Sequence, residues 1–171
     1  MNISLKPSPI IAIWLPGFAL TTFVILCWHN GDKVGLFGAL QLDTSISFWP
    51  AIAIIVASFI VGQFLDAIRD ILLENFVFEK LCGEVKWQFF FEAKKESLEN
   101  LDEWFYSWYE MDANIVVGSF VAIILALSGK VSIDCFAWII IVAALVFFFL
   151  DAKELRSDIK EMIDRYYERQ F

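Results

Sequence analysis

SFWPAIAIIVASFIVGQFLDAIRDILLENF, residues 47–76, carries no charge until Asp66 and then sets Asp66, Arg69, Asp70 and Glu74 within nine positions. Ser47 is an N-cap residue type, Pro50 is tolerated in a first helical turn, and Trp49 suits the membrane–water interface. At about 1.5 Å per residue, twenty residues from Trp49 cover roughly 30 Å of hydrocarbon and end at Ile68. The charges therefore arrive where a bilayer should end. They are a catalytic cluster, the lining of a pore, or the place where a helix leaves the membrane.

Composition favours a membrane chain. Hydrophobic residues make up 59% of 171 positions and charged residues 20%, against about 45–50% and about 25% in soluble domains. The net charge of −8 and the pI near 4.6 predict no nucleic-acid partner, since no isolated basic arm offsets them. Cys27, Cys82 and Cys135 lack the spacing of a disulfide framework or zinc site and read as buried small hydrophobes. His29 has no companion ligand nearby in the sequence, so no cofactor or metal is expected.

The pattern predicts an all-α integral membrane protein with four transmembrane helices, at about 10–28, 48–68, 113–129 and 135–152. The first, IIAIWLPGFALTTFVILCW, is read as a retained helix kinked near Pro16 rather than a cleaved signal. KVSID joins the last two and permits only an antiparallel hairpin. Basic residues set the direction. Lys6, Arg69, Lys80, Lys86, Lys94, Lys95, Lys153, Arg156, Lys160, Arg165 and Arg169 fall on one side, and only Lys33 and Lys130 on the other. The positive-inside rule then places both termini, 69–112 and 153–171 in the cytoplasm, as amphipathic helical extensions of a single membrane domain covering 1–171. The expected location is the cell inner (plasma) membrane.

The extensions are readable as helix faces. DAKELRSDIKEMIDRYYERQF continues span four without Pro or Gly, and Leu155, Ile159, Met162 and Tyr166 form a seam at spacings of four, three and four. That seam serves either oligomer or partner contact, or packing on the chain's own 84–110 segment. In the latter, Leu98, Leu101, Phe105 and Trp108 follow helical spacing, as an interface-lying helix, an approach to span three, or a docking face for a cytosolic protein. Within the spans, Asn114, Gly118, Ala122 and Ala126 recur every four residues, and Ser58 and Gly62 share a face with Ala51. Such faces allow close helix packing in lipid.

No nucleophile elbow, zinc-protease motif, P-loop or dinucleotide turn is present, so no catalytic residue is assigned. Asp66 and Asp70 form a DxxxD that a magnesium-dependent enzyme acting on lipid pyrophosphates would use, but Arg69 between them offers an ion pair instead. On a wheel of about 100° per residue, Gly62, Gln63, Asp66, Arg69, Asp70 and Glu74 span about 140°. In an oligomer this polar face would form a cation-favouring vestibule; in a lone bundle it would meet the cytoplasm.

The expected function is a small homo-oligomeric, channel-like or membrane-perturbing component, with the bilayer as its first partner. By class analogy, effectors of bacterial toxin or phage-defence systems have this design. The alternatives are a non-conducting anchor for a cytosolic partner and the lipid-pyrophosphate enzyme. Cysteines introduced at Lys33 and Lys95 should be labelled by an impermeant reagent from opposite sides, Lys33 from outside. Outside labelling at Lys95 reverses the orientation.

Overall fold

The structure is a computed structural model and describes residues 9–29, 48–89, 105–129, 133 and 135–168. It is all-helical: α1 (Pro9–His29), α2 (Phe48–Ile68), α3 (Ser107–Leu127) and α4 (Cys135–Glu168). Helix α2 continues unbroken through a π-helical stretch, Arg69–Phe78, into a last α turn, Glu79–Cys82. The proposed interface helix through Leu98 and Leu101, and the two connecting loops apart from Ile133, lie outside the described residues.

Three helices are long and apolar enough to cross a membrane, the mark of a membrane protein: 32 residues over Ala51–Cys82, 21 over Ser107–Leu127 and 34 over Cys135–Glu168. The described apolar stretch of α1, Ile10–Ile25, is shorter. Helix α1 nevertheless runs on through Pro16 as one element. Helix α4 is about 50 Å long at about 1.5 Å per residue, which exceeds the hydrocarbon core by about 20 Å. Its DAKELRSDIKEMIDRYYE half is therefore the direct continuation of an apolar helix, as the absence of Pro and Gly predicts.

Helix α1 packs against both α2 and α3, and α3 packs against α4. The small residues explain the first contact. A Cβ on Gly17 would overlap the Ser58 carbonyl oxygen and come within 2.7 Å of the Gly62 Cα, while a Cβ on Gly62 would overlap the Ile13 carbonyl. The two backbones thus touch directly, the arrangement that lets helices gain dispersion contacts where lipid supplies no hydrophobic drive. Ser58, fully buried, satisfies its hydroxyl on the Ile54 carbonyl at 2.6 Å. Gly118 is less constrained, since its added Cβ would lie 3.4 Å from Leu65 Cδ1. Ala122 is buried and Ala126 half-buried on the same helix.

Helix α3 is the central element, with 44% of its apolar window buried against 17% for α2 and 11% for α4. Beyond Ile68 the same core continues through Phe78, Val85, Phe89, Tyr109, Ile159 and Ile163. The α4 seam enters it: Ile159 is fully buried, Leu155, Met162 and Tyr166 pack around it, and the Tyr166 ring meets Phe89 edge-on at 4.9 Å. Of the two uses foreseen for that seam, the Phe89 contact is packing on the chain's own 84–110 segment, of which residues 90–104 lie outside the described residues. Gly83, at φ 81°, turns the chain out of the last turn of α2 in a conformation that side chains with a Cβ avoid.

Substituting Gly62 by Ala should lower stability by about 1–3 kcal/mol through overpacking, whereas Gly118→Ala should be near neutral. Thermal unfolding of both variants in the same detergent checks the contrast, and equal melting temperatures would contradict the direct backbone contact.

Candidate functional site

The charged end of α2 is shaped by its change of winding. In an α-helix of about 3.6 residues per turn, Arg69 and Phe78 would point about 180° apart. The π-helical stretch bonds each residue to the fifth along, and Arg69, Leu73 and Phe78 all turn inward. A polar and an apolar group are thereby carried on one buried face.

Arg69 is 4% exposed. Its Nη1 lies 2.8 Å from Asp66 and 3.5 Å from Glu110 of α3, and its Nη2 and Nε donate to one Asp70 oxygen at 2.7 and 3.1 Å. Asp66 also accepts from the Asn114 side-chain amide at 3.2 Å. A planar, permanently charged guanidinium suits this role because its five donors address several carboxylates at once. The result is a polar bond between α2 and α3.

A second knot surrounds Glu74. Its carboxylate accepts from the Tyr109 hydroxyl and from Arg156 Nε at 3.0 Å. Arg156, 1% exposed, also donates to the Gly83 carbonyl at 2.9 Å and sits 5.9 Å from the centre of the Phe78 ring. Lys160 donates to the Cys82 carbonyl at 3.0 Å. Four carboxylates, Asp66, Asp70, Glu74 and Glu110, thus share two guanidiniums. The cluster retains an excess of negative charge.

Between these knots lies a polar cavity of about 500 Å³, lined by Arg69, Asp70, Glu74, Asn75, Trp87, Tyr106 and Tyr109. Burial pushes the Tyr106 hydroxyl up to about 12; Arg69 opposes the shift and Glu110, Asp70 and Asp66 add to it. Two other cavities, about 430 and 390 Å³, are lined almost wholly by apolar side chains of the helices.

The residues foreseen as one polar face do not share one environment. Gly62 is turned to α1 and Gln63 is exposed. Arg69 is buried, with the side chains of Asp66 and Asp70 21% and 60% exposed and that of Glu74 12%. Asn114, foreseen only as a small packing residue, is a fully buried hydrogen-bond donor. Tyr109, Glu110 and Arg156 were not singled out, although the acids of 61–76 outnumber Arg69 and so require further donors. Asp66 and Asp70 both contact Arg69, and among the described residues no three His, Cys, Asp or Glu gather to hold a metal. The free thiols Cys82 and Cys135 are half-buried and exposed, not the buried small hydrophobes expected, while the side chains of Cys27 and His29 lie outside the described residues.

No family model, curated protein or solved structure matches the chain.

Arg69→Leu would leave several buried carboxylates without their cation and should cost about 3–5 kcal/mol. Asp70→Asn, at an exposed partner that keeps an acceptor, should cost far less. Denaturant titration in detergent distinguishes them. Raising the Tyr106 pKa above its unfolded value means the folded state holds the proton longer, so this stabilisation is complete below about pH 10 and lost as pH rises through about 12. Tyr106→Phe should flatten that part of the stability profile.

Proposed function

We propose that the chain is a four-span inner-membrane protein with both termini cytoplasmic, which works as a homo-oligomeric, channel-like or membrane-perturbing component. The observation that carries this reading is the latch at Arg69 and Arg156, which ties α2, α3 and α4 together just beyond the apolar run of α2. Placed at the cytoplasmic rim, it would transmit a displacement of the α4 extension to the packing of the spans.

Assembly supplies the rest. Among the described residues the two cavities between the helices are lined almost wholly by apolar side chains, so a conducting path would form between copies. The apolar windows of α2 and α4 are mostly unburied in one chain, which leaves faces for lipid and for neighbouring subunits. By class analogy, such a component would act in membrane damage by toxin or phage-defence effectors.

A second reading, the non-conducting anchor, is favoured by one feature. Ile71, Leu72, Phe76 and Leu81 remain exposed on the part of α2 beyond Ile68, where a cytosolic protein could cover them.

Purified protein should run as a symmetric oligomer and dissipate an ion gradient in liposomes, with flux altered by Arg156→Lys. A monomer that leaves liposomes tight would end the channel reading. Co-purification of a cytosolic protein, lost on deleting 153–171, would replace it with the anchor.

A further inference from the structure

The polar cavity beside α2 is built unlike the two apolar ones. Aromatic rings form part of its wall, with Trp87 and Tyr106 6.2 Å apart and steeply inclined at 74°, and Tyr106 and Tyr109 6.4 Å apart. Asp70 and Glu74 form the acidic part. Arg69 also reaches the lining, but Asp66, Asp70 and Glu110 surround its guanidinium. An anion entering here would meet more carboxylates than cations. A bare divalent metal would find only two lining carboxylates, one bonded to Arg69 and the other to Arg156 and Tyr109.

A positively charged group that also tolerates aromatic faces matches both parts of the wall. Ring faces attract cations through their quadrupole, and an excess of carboxylate adds to that attraction. The volume of about 500 Å³ lies in the range of small-molecule sites.

We propose that this cavity binds an organic ammonium group, held against the Trp87, Tyr106 and Tyr109 rings and by the exposed Asp70 carboxylate, whose bonds from Arg69 both fall on Oδ1. The ammonium belongs either to a lipid headgroup, since the cavity borders a membrane-type helix, or to a soluble amine. Trp87 supplies aromatic surface and Asp70, the more exposed carboxylate, meets the incoming charge. The site does not depend on whether the protein conducts ions.

Calorimetric titration of the full chain in maltoside micelles tests the assignment with ethanolamine hydrochloride and, separately, short-chain phosphatidylethanolamine. Saturable binding of at least one probe is expected, weakened about tenfold by Asp70→Asn and by Trp87→Leu, restored by Trp87→Phe, and unchanged by Glu161→Gln. Binding of the lipid about tenfold tighter than ethanolamine identifies a headgroup site; equal or weaker binding identifies a soluble amine. Melting temperatures close to that of the unsubstituted chain show that the variants are folded. The proposal is overturned if neither probe saturates, if folded Asp70→Asn and Trp87→Leu bind as well as the parent, or if sodium phosphate displaces the amine.

Discussion

Burying the Arg69 guanidinium at the end of an apolar helix is the constraint around which the rest is arranged. Removing such an ion from water costs several kcal/mol unless good geometry and further hydrogen bonds offset it. Asp66 and Asp70 come from the same helix, but Glu110 must be delivered by α3. That requirement fixes the height of α3 along α2. Asn114, one turn further along α3, then reaches Asp66.

The same logic extends to α4. Glu74 faces inward among Phe78, Tyr109 and Arg156, and the Arg156 side chain closes the gap to Gly83. Because α4 is one continuous helix from Cys135 to Glu168, this contact links the apolar and charged ends of the molecule mechanically. Ile159 and Ile163 add apolar burial on the next turns, worth about 1.5–3 kcal/mol for each side chain fully removed from water. Between α1 and α2 the means are different: Gly17, Ser58 and Gly62 bring backbones together with no charge involved. Close packing serves where lipid surrounds the helices, and ion pairs with a small apolar core serve beyond it.

For function, the inward turn of Arg69 and Glu74 alters what an assembly would present. A ring of free acids around a pore is not available from groups already bound to guanidiniums, which shifts the weight of the channel-like reading from ion selection at the rim to mechanical coupling through it. Asp70 retains substantial exposure beside the aromatic wall of the polar cavity.

The presence of long apolar helices was legible in the sequence because hydrocarbon imposes a local rule, that a long run without charge must satisfy its backbone internally, and α2, α3 and α4 obey it; their limits were less so, since α2 runs on to Cys82 and α3 begins at Ser107. The continuity of α4 was equally local, resting on the absence of Pro and Gly after Leu150. At the Ser58 and Gly62 face the sequence did not indicate the neighbour, which the structure places at Gly17 and Ile13 of α1. The direction of the 61–76 polar face was not legible, because a wheel assumes α winding and Arg69–Phe78 winds as a π-helix. Nor were Tyr109 and Arg156, which meet Glu74 across 35 and 82 residues of chain. Only tertiary structure brings such groups together, since burial of charge must be balanced in space, where neighbours along the chain count no more than distant ones.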